Sequence, residues 1–158
     1  MSFGLFITTF YQILALNTIL SRSPEDTQEF AKNIVKKAKV PSVFLLFGDL
    51  GSGKTTFTQG FAQGLGIQQK IKSPSFAFLH RYQFQSPKTK KKAKLYHFDL
   101  YRLTKNDELS PLGFQEAVSD PEAITLVEWA DRLSELPKNC KKIHFEYIDK
   151  NTRKITCK

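Results

Sequence analysis

The run Gly48-Asp-Leu-Gly-Ser-Gly-Lys-Thr55 carries the most specific chemistry in this chain. It fits glycine, four residues, glycine, lysine and a hydroxyl residue at every position, the pattern of a phosphate-binding loop. The chain's own composition would produce such a match by chance roughly 0.7% of the time. Gly48, Gly51 and Gly53 allow the backbone to curl so that successive N–H groups face inward. A helix opening near Lys54 adds unpaired amides and the positive end of its dipole, with Ser52 and Gly53 at its threshold. Lys54 can reach the β- and γ-phosphates as a compact charge, and the Thr55 hydroxyl suits Mg2+, a hard ion that takes oxygen ligands. Thr56 reads as packing or helix surface. A glycine loop that only turned a strand into a helix would need neither Lys54 nor Thr55.

Holding a nucleotide is not hydrolysing it. Hydrolysis also needs a carboxylate near the magnesium and a group that orients the attacking water. Two apolar runs end in carboxylates: Tyr96-His-Phe-Asp99 and Ile124-Thr-Leu-Val-Glu128. The carboxyl edge of a parallel sheet is where ligands sit, so Asp99 and Glu128 are the candidates, against the plainer reading of strand-end solubilisers or helix caps. His80, His97 and His144 do not form a metal cluster, and His97 reads as a strand residue packing beside the site. Arg102 could face phosphate or pair with Asp107 or Glu108.

These residues need a framework. Ser23-Pro-Glu-Asp26 is a helix start, and Phe30, Ala31, Ile34, Val35 and Ala38 recur at helical spacing up to Pro41. The unbroken apolar run from Ser42 to Phe47 predicts a strand buried on both faces, followed by the loop and a helix to about Leu65. Strands are expected at Phe76–Tyr82, Lys94–Asp99 and Ala123–Glu128, and a closing hairpin at Lys142–Ile148 and Arg153–Cys157. Short helical turns are expected over Asn106–Asp120, a short helix over Asp131–Leu136 and a loop over Pro87–Lys94. Interleaved strands and helices define an α/β sandwich with a mixed sheet.

The composition agrees with one such domain. The 158 residues hold 14 Phe and are 41% hydrophobic, enough for a core. Cys140 and Cys157 exclude a disulfide scaffold and read as reduced thiols of a cytoplasmic protein. The apolar stretch over residues 1–20 has no basic start and is interrupted by Thr8, Thr9, Gln12 and Asn17. It reads as a leader and first strand rather than a membrane span, with residues 21–158 as the single domain. The net charge is +9, carried by 19 Lys and 5 Arg. The cluster Lys88, Lys90, Lys91, Lys92 and Lys94 is either a solvated hairpin tip or a contact for the tRNA phosphate backbone or an acidic partner.

Four blocks together resemble the TsaE (YjeE) family, the small ATPase of the bacterial machinery that makes threonylcarbamoyladenosine in tRNA. They are Gly48–Phe57, Lys72-Ser-Pro-Ser-Phe76, Tyr96-His-Phe-Asp-Leu-Tyr-Arg-Leu103 and Leu126-Val-Glu-Trp-Ala130. The first is generic to P-loop proteins, while the third and fourth are specific. The resemblance implies a P-loop NTPase-like sandwich with a mixed, mainly parallel central sheet flanked by helices. It implies ATP bound at Gly51, Ser52, Gly53, Lys54, Thr55, Thr56, Ser75, Trp129 and Arg153, with Mg2+ held by Thr55 and Glu128. It makes Asp99 and Lys54 the catalytic pair and Ser73-Pro74-Ser75 a switch-like loop, with Ser75 standing where the family usually has Thr. It also implies a weak intrinsic ATPase working with TsaB- and TsaD-like partners on adenosine 37 of tRNAs that read codons starting with adenine. A small-molecule or nucleotide kinase and a non-catalytic nucleotide-gated module are the alternatives; five scattered arginines do not make a kinase lid.

Overall fold

We describe a computed structural model of the chain over residues 17–72, 78–104 and 109–158. Seven strands form one sheet: β1 (Thr18–Ser21), β2 (Ser42–Phe47), β3 (Leu79–Gln85), β4 (Lys92–Asp99), β5 (Ala123–Glu128), β6 (Cys140–Tyr147) and β7 (Arg153–Cys157). Their spatial order is β1-β7-β6-β2-β5-β4-β3. The middle pairs β6–β2, β2–β5 and β5–β4 are parallel, while β1–β7, β7–β6 and β3–β4 are antiparallel. The buried runs therefore lie in the parallel centre, where both faces are covered.

Three helices accompany the sheet: α1 (Pro24–Lys37), α2 (Lys54–Gly64) and α3 (Phe114–Ser119). The start of α1 is built as its sequence predicts. The Asp26 amide donates to Ser23 Oγ at 3.1 Å, and the Asp26 carboxylate accepts from the Arg22 amide at 2.8 Å. Helices α1 and α2 cover one face of the sheet, where Phe44, Phe57, Phe61 and Phe145 interlock with ring centroids 4.9–6.0 Å apart. Gly60 lies where the two helices meet: a Cβ there would stand 2.4 Å from Gln28 Cα. On the other face α3 and its neighbours bury Val43, Leu45, Phe98, Phe114 and Val127. Cys157 packs toward the first cluster and Cys140 toward the second, both as free thiols.

Several boundaries differ from the sequence expectations. The third strand runs from Leu79 to Gln85 rather than ending at Tyr82, because Gln83 and Gln85 pair with Lys94 and Lys92 across the hairpin. Lys92 and Lys94 are consequently strand residues, and the expected loop over Pro87–Lys94 shrinks to a tip closed by the Ser86 amide on Lys91 O. Only a 3-10 turn, Ala130–Arg132, stands where a helix over Asp131–Leu136 was expected; Leu133 turns extended and buries its side chain instead. So short a helix takes its stability from what it buries rather than from its own hydrogen bonds, and here the burial of Leu133 favours the extended chain. The helical turns expected before Asp120 are a 3-10 turn, Ser110–Leu112, and α3. No helix among the described residues is long and apolar enough to cross a membrane.

Candidate nucleotide-binding site

Strand β2 delivers the chain into the glycine loop, and α2 carries it away. Gly48 has φ of 154°, and a Cβ there would stand 2.7 Å from Ser52 Oγ and 2.8 Å from the Phe145 carbonyl. Gly51 and Gly53 have φ of 75° and 101°, the left-handed region that side chains disfavour. The Phe57 amide takes Gly53 O at 2.9 Å to open α2, so the first-turn amides ahead of it have no partner within the helix. They form an electropositive cradle at the carboxyl edge of the sheet.

Lys54 is 5% exposed and folds back over the loop. Its Nζ donates to the carbonyls of Gly48 at 2.6 Å and Asp49 at 2.8 Å, and lies 3.7 Å from the centre of the Trp129 ring. Burial pulls its pKa below the ordinary lysine range, against the opposing pull of Glu128, Asp131, Asp99 and Asp49. Trp129 follows β5 with φ of 59°, an unfavourable conformation for a bulky residue, and that bend brings its indole over the lysine. The Tyr101 ring packs against the same indole at a 46° tilt, with centroids 4.8 Å apart.

Glu128, 1% exposed, anchors the acidic side. Its Oε2 accepts from Thr55 Oγ1 at 2.8 Å; its Oε1 accepts from Thr58 Oγ1 at 2.8 Å and lies 2.9 Å from His97 Nε2. Burial alone would raise its carboxyl pKa, but the hydrogen bonds from His97, Thr55 and Thr58 outweigh it and the net shift is downward. Asp99 sits opposite Glu128 in the β4–β5 register and accepts the Tyr101 amide at 3.0 Å. A hydroxyl and two carboxylates beside a phosphate cradle are hard oxygen donors, a set that fits Mg2+ completed by phosphate oxygens and water. Among the described residues no group of three or more His, Cys, Asp or Glu is placed to hold a metal ion without further ligands.

A cavity of about 300 Å3 opens beside the loop, lined by Gly51, Gly53, Thr56 and Arg153 together with Ser23, which caps α1, and Thr27 in its first turn. Arg153 reaches across from β7 and donates to Gly51 O at 3.3 Å, with its guanidinium 4.5 Å from the Tyr147 ring. Residues 51–56, Asp99, Glu128, Trp129 and Arg153 therefore converge on one edge. Ser73, Pro74, Ser75, Asp107 and Glu108 lie outside the described residues. Two site residues carried no such role in the sequence: Thr58 and His97. Thr58 is one helical turn beyond Lys54, and His97 shares a strand face with Asp99; those spacings were the available signal.

Comparison with known proteins places this arrangement. The family model described as threonylcarbamoyl adenosine biosynthesis protein TsaE matches residues 21–155. The chain belongs to the TsaE family. Among its curated relatives, the tRNA threonylcarbamoyladenosine biosynthesis protein TsaE of Bacillus subtilis is 39% identical, with 85% of this chain and 80% of that protein covered. The Treponema pallidum protein of the same name is 36% identical over 87% of this chain and 96% of its own. The crystal structure of Bacillus subtilis YdiB superposes with a TM-score of 0.70 at 33% identity, covering 89% of this chain and 82% of that one. The α/β fold expected for the TsaE family is thus the fold observed.

Proposed function

We propose that this chain is a Mg2+-dependent ATPase that serves formation of the threonylcarbamoyl group on N6 of adenosine 37 in tRNAs reading codons that start with adenine. It works in the cytoplasm with TsaB- and TsaD-like proteins. The pathway is supported by the names of the relatives. The chemistry is supported by one observation above all: the loop lysine, the loop hydroxyl and two neighbouring strand-end carboxylates share the edge at which α2 begins.

Each residue has a task. The Gly48–Thr55 loop takes the phosphate chain on its amides. Lys54 exchanges its bonds to the Gly48 and Asp49 carbonyls for phosphate oxygens, and Trp129 keeps water from that charge. Thr55 and Glu128 would hold a magnesium ion, which would supply charge neutralisation at the phosphates. Asp99 orients the attacking water and accepts its proton as the γ-phosphate leaves ADP. The cavity beside Thr56 and Arg153 receives the rest of the nucleotide. A lone P-loop site without a supplied arginine finger is weak, so turnover alone is slow and the partners accelerate it.

The lysine cluster gives the tRNA its contact. Lys88 Nζ donates to Lys37 O at 3.2 Å, which joins Lys88, Lys90 and Lys91 to Lys36 and Lys37 at the end of α1. Because β4 runs from Lys92 to Asp99, this basic end lies across the sheet from the nucleotide.

Calorimetric titration with ATP and Mg2+, paired with a γ-phosphate release assay with and without the partners, tests the reading. Binding, slow release and acceleration by partners are expected. Asp99→Ala is expected to keep nucleotide affinity and to lose about 10²–10⁴ in turnover. Absence of any nucleotide heat would overturn the site; phosphate appearing on an acceptor other than water would make the chain a kinase.

A further inference from the structure

The Glu128 carboxylate is almost fully subscribed before any ligand arrives. A carboxylate offers about four lone-pair positions, two on each oxygen. On Oε1 both are taken, by Thr58 Oγ1 and His97 Nε2. On Oε2 one is taken, by Thr55 Oγ1. Among the described residues one position is left over, on Oε2, the oxygen that the loop hydroxyl Thr55 also meets.

His97 is the unusual partner. It is completely buried, and a carboxylate only accepts, so Nε2 carries the proton. Its other nitrogen, Nδ1, is buried and has no hydrogen-bond partner among the described residues. A buried ring with one unpaired polar atom weakens the core relative to an apolar residue of similar size. The ring's hydrogen bond to Glu128 is what sets it apart from the phenylalanines and leucines around it. The single hydroxyl proton of Thr58 is shared between Glu128 Oε1 at 2.8 Å and Lys54 O at 3.0 Å, so the helix turn that presents Lys54 also faces this oxygen of Glu128.

We propose that His97 and Thr58 are positioning residues that lock Glu128 Oε1, so that Glu128 meets magnesium or its water shell through Oε2 alone. Thr55 gives its proton to that same Oε2, which leaves the Thr55 oxygen lone pairs free to face the ion. The clamp thereby ties strand β4, strand β5 and helix α2 to one ligand geometry. This inference rests on the reading of Thr55 and Glu128 as the magnesium-side pair.

The test measures how much Mg2+ tightens ATP binding, as the ratio of affinities with Mg2+ and with EDTA, and Mn2+ binding to the nucleotide complex by electron paramagnetic resonance. His97→Phe is expected to reduce the magnesium-dependent gain about 10–100-fold, the usual cost of losing a partner of a metal ligand. Affinity in EDTA stays at the wild-type value, and His97→Gln, which restores an N–H, recovers most of the gain. Thr58→Val, nearly isosteric, moves the gain in the same direction and stands in for His97→Phe should that variant misfold by circular dichroism. If folded variants keep the full magnesium gain, the clamp is wrong while the nucleotide site stands. If the wild-type protein itself binds ATP with no magnesium gain, both the clamp and the magnesium reading fall.

Discussion

Gly60→Ala tests whether the separation of α1 and α2 is set by one missing methyl group. The added Cβ would stand 2.4 Å from Gln28 Cα and 2.5 Å from Gln28 O. Carbon atoms pack at about 3.5–4.0 Å, so α1 must retreat by about 1 Å or more, and the obstruction is backbone that cannot swing aside. Overpacking costs about 1–3 kcal/mol, and a backbone obstacle belongs at the upper end. Alanine returns about 0.5–1 kcal/mol by stiffening the helix. The net loss is about 1–2 kcal/mol, or roughly 2–8 °C in Tm for a domain of this size. Gly64→Ala is the internal control: its Cβ would be 3.1 Å from Lys32 Cα and 3.3 Å from Val35 Cβ, which a shift of a few tenths of an ångström relieves. Its midpoint is expected to stay within about 2 °C of the wild type. Because α1 also carries Ser23 and Thr27 to the cavity beside the phosphate loop, Gly60→Ala is expected to weaken nucleotide binding as well. Differential scanning calorimetry and ATP titration read both effects. A Gly60→Ala protein that melts at or above the wild-type temperature would refute the packing argument.

Other consequences are equally accessible. Trp129 is the chain's one tryptophan and lies against the Lys54 ammonium, so its emission should change as ATP draws that charge away. Lys54→Ala should shift the starting spectrum and abolish the response; a flat titration at saturation counts against the site. Replacing Lys88, Lys90 and Lys91 with Gln should lessen the slope of log affinity for tRNA against log salt by about 2–3, and an unaltered slope discards the tRNA contact. Asp120 is held below its ordinary value of 3.8 by the Glu122 amide and Lys94, against burial and with help from Tyr96. A depressed carboxyl stabilises the fold above its unfolded value and loses that contribution as pH falls through its folded value. Asp120→Asn should therefore flatten the loss of stability below about pH 4 in urea titrations, and an unchanged acid limb would reject the assignment.

Much of the fold was written in local patterns. The start of α1 at Ser23, the buried strand before Gly48 and the hairpin of β6 and β7 each follow from neighbouring residues, since capping, burial period and turn chemistry act over a few positions. The elements that moved were those with weak local signals. Gln83 and Gln85 do not read as strand until Lys94 and Lys92 pair with them, and the turn after Trp129 yields to the burial of Leu133. Lys54 and Thr55 were legible because they stand at fixed offsets in the loop motif, while Asp99 and Glu128 were candidates because each closes an apolar run. Arg153 carries no comparable local pattern; only the resemblance pointed to it, and the contact with Gly51 appears once β7 is folded beside the loop.

By itself, the sequence determined the chemistry available here: a glycine loop that can curl, a lysine and hydroxyl behind it, and two carboxylates at the tips of apolar runs. Those follow from bond geometry and residue type, which need no partner across the fold. Only the tertiary structure decided which oxygen of Glu128 faces Thr55, that His97 and Thr58 hold the other, and why Gly60 has no side chain. Hydrogen bonds between residues 31 and 70 positions apart, and a helix crossing closer than a methyl group allows, leave no periodic trace in the chain, because they exist only when strands β4 and β5 and helices α1 and α2 are brought together.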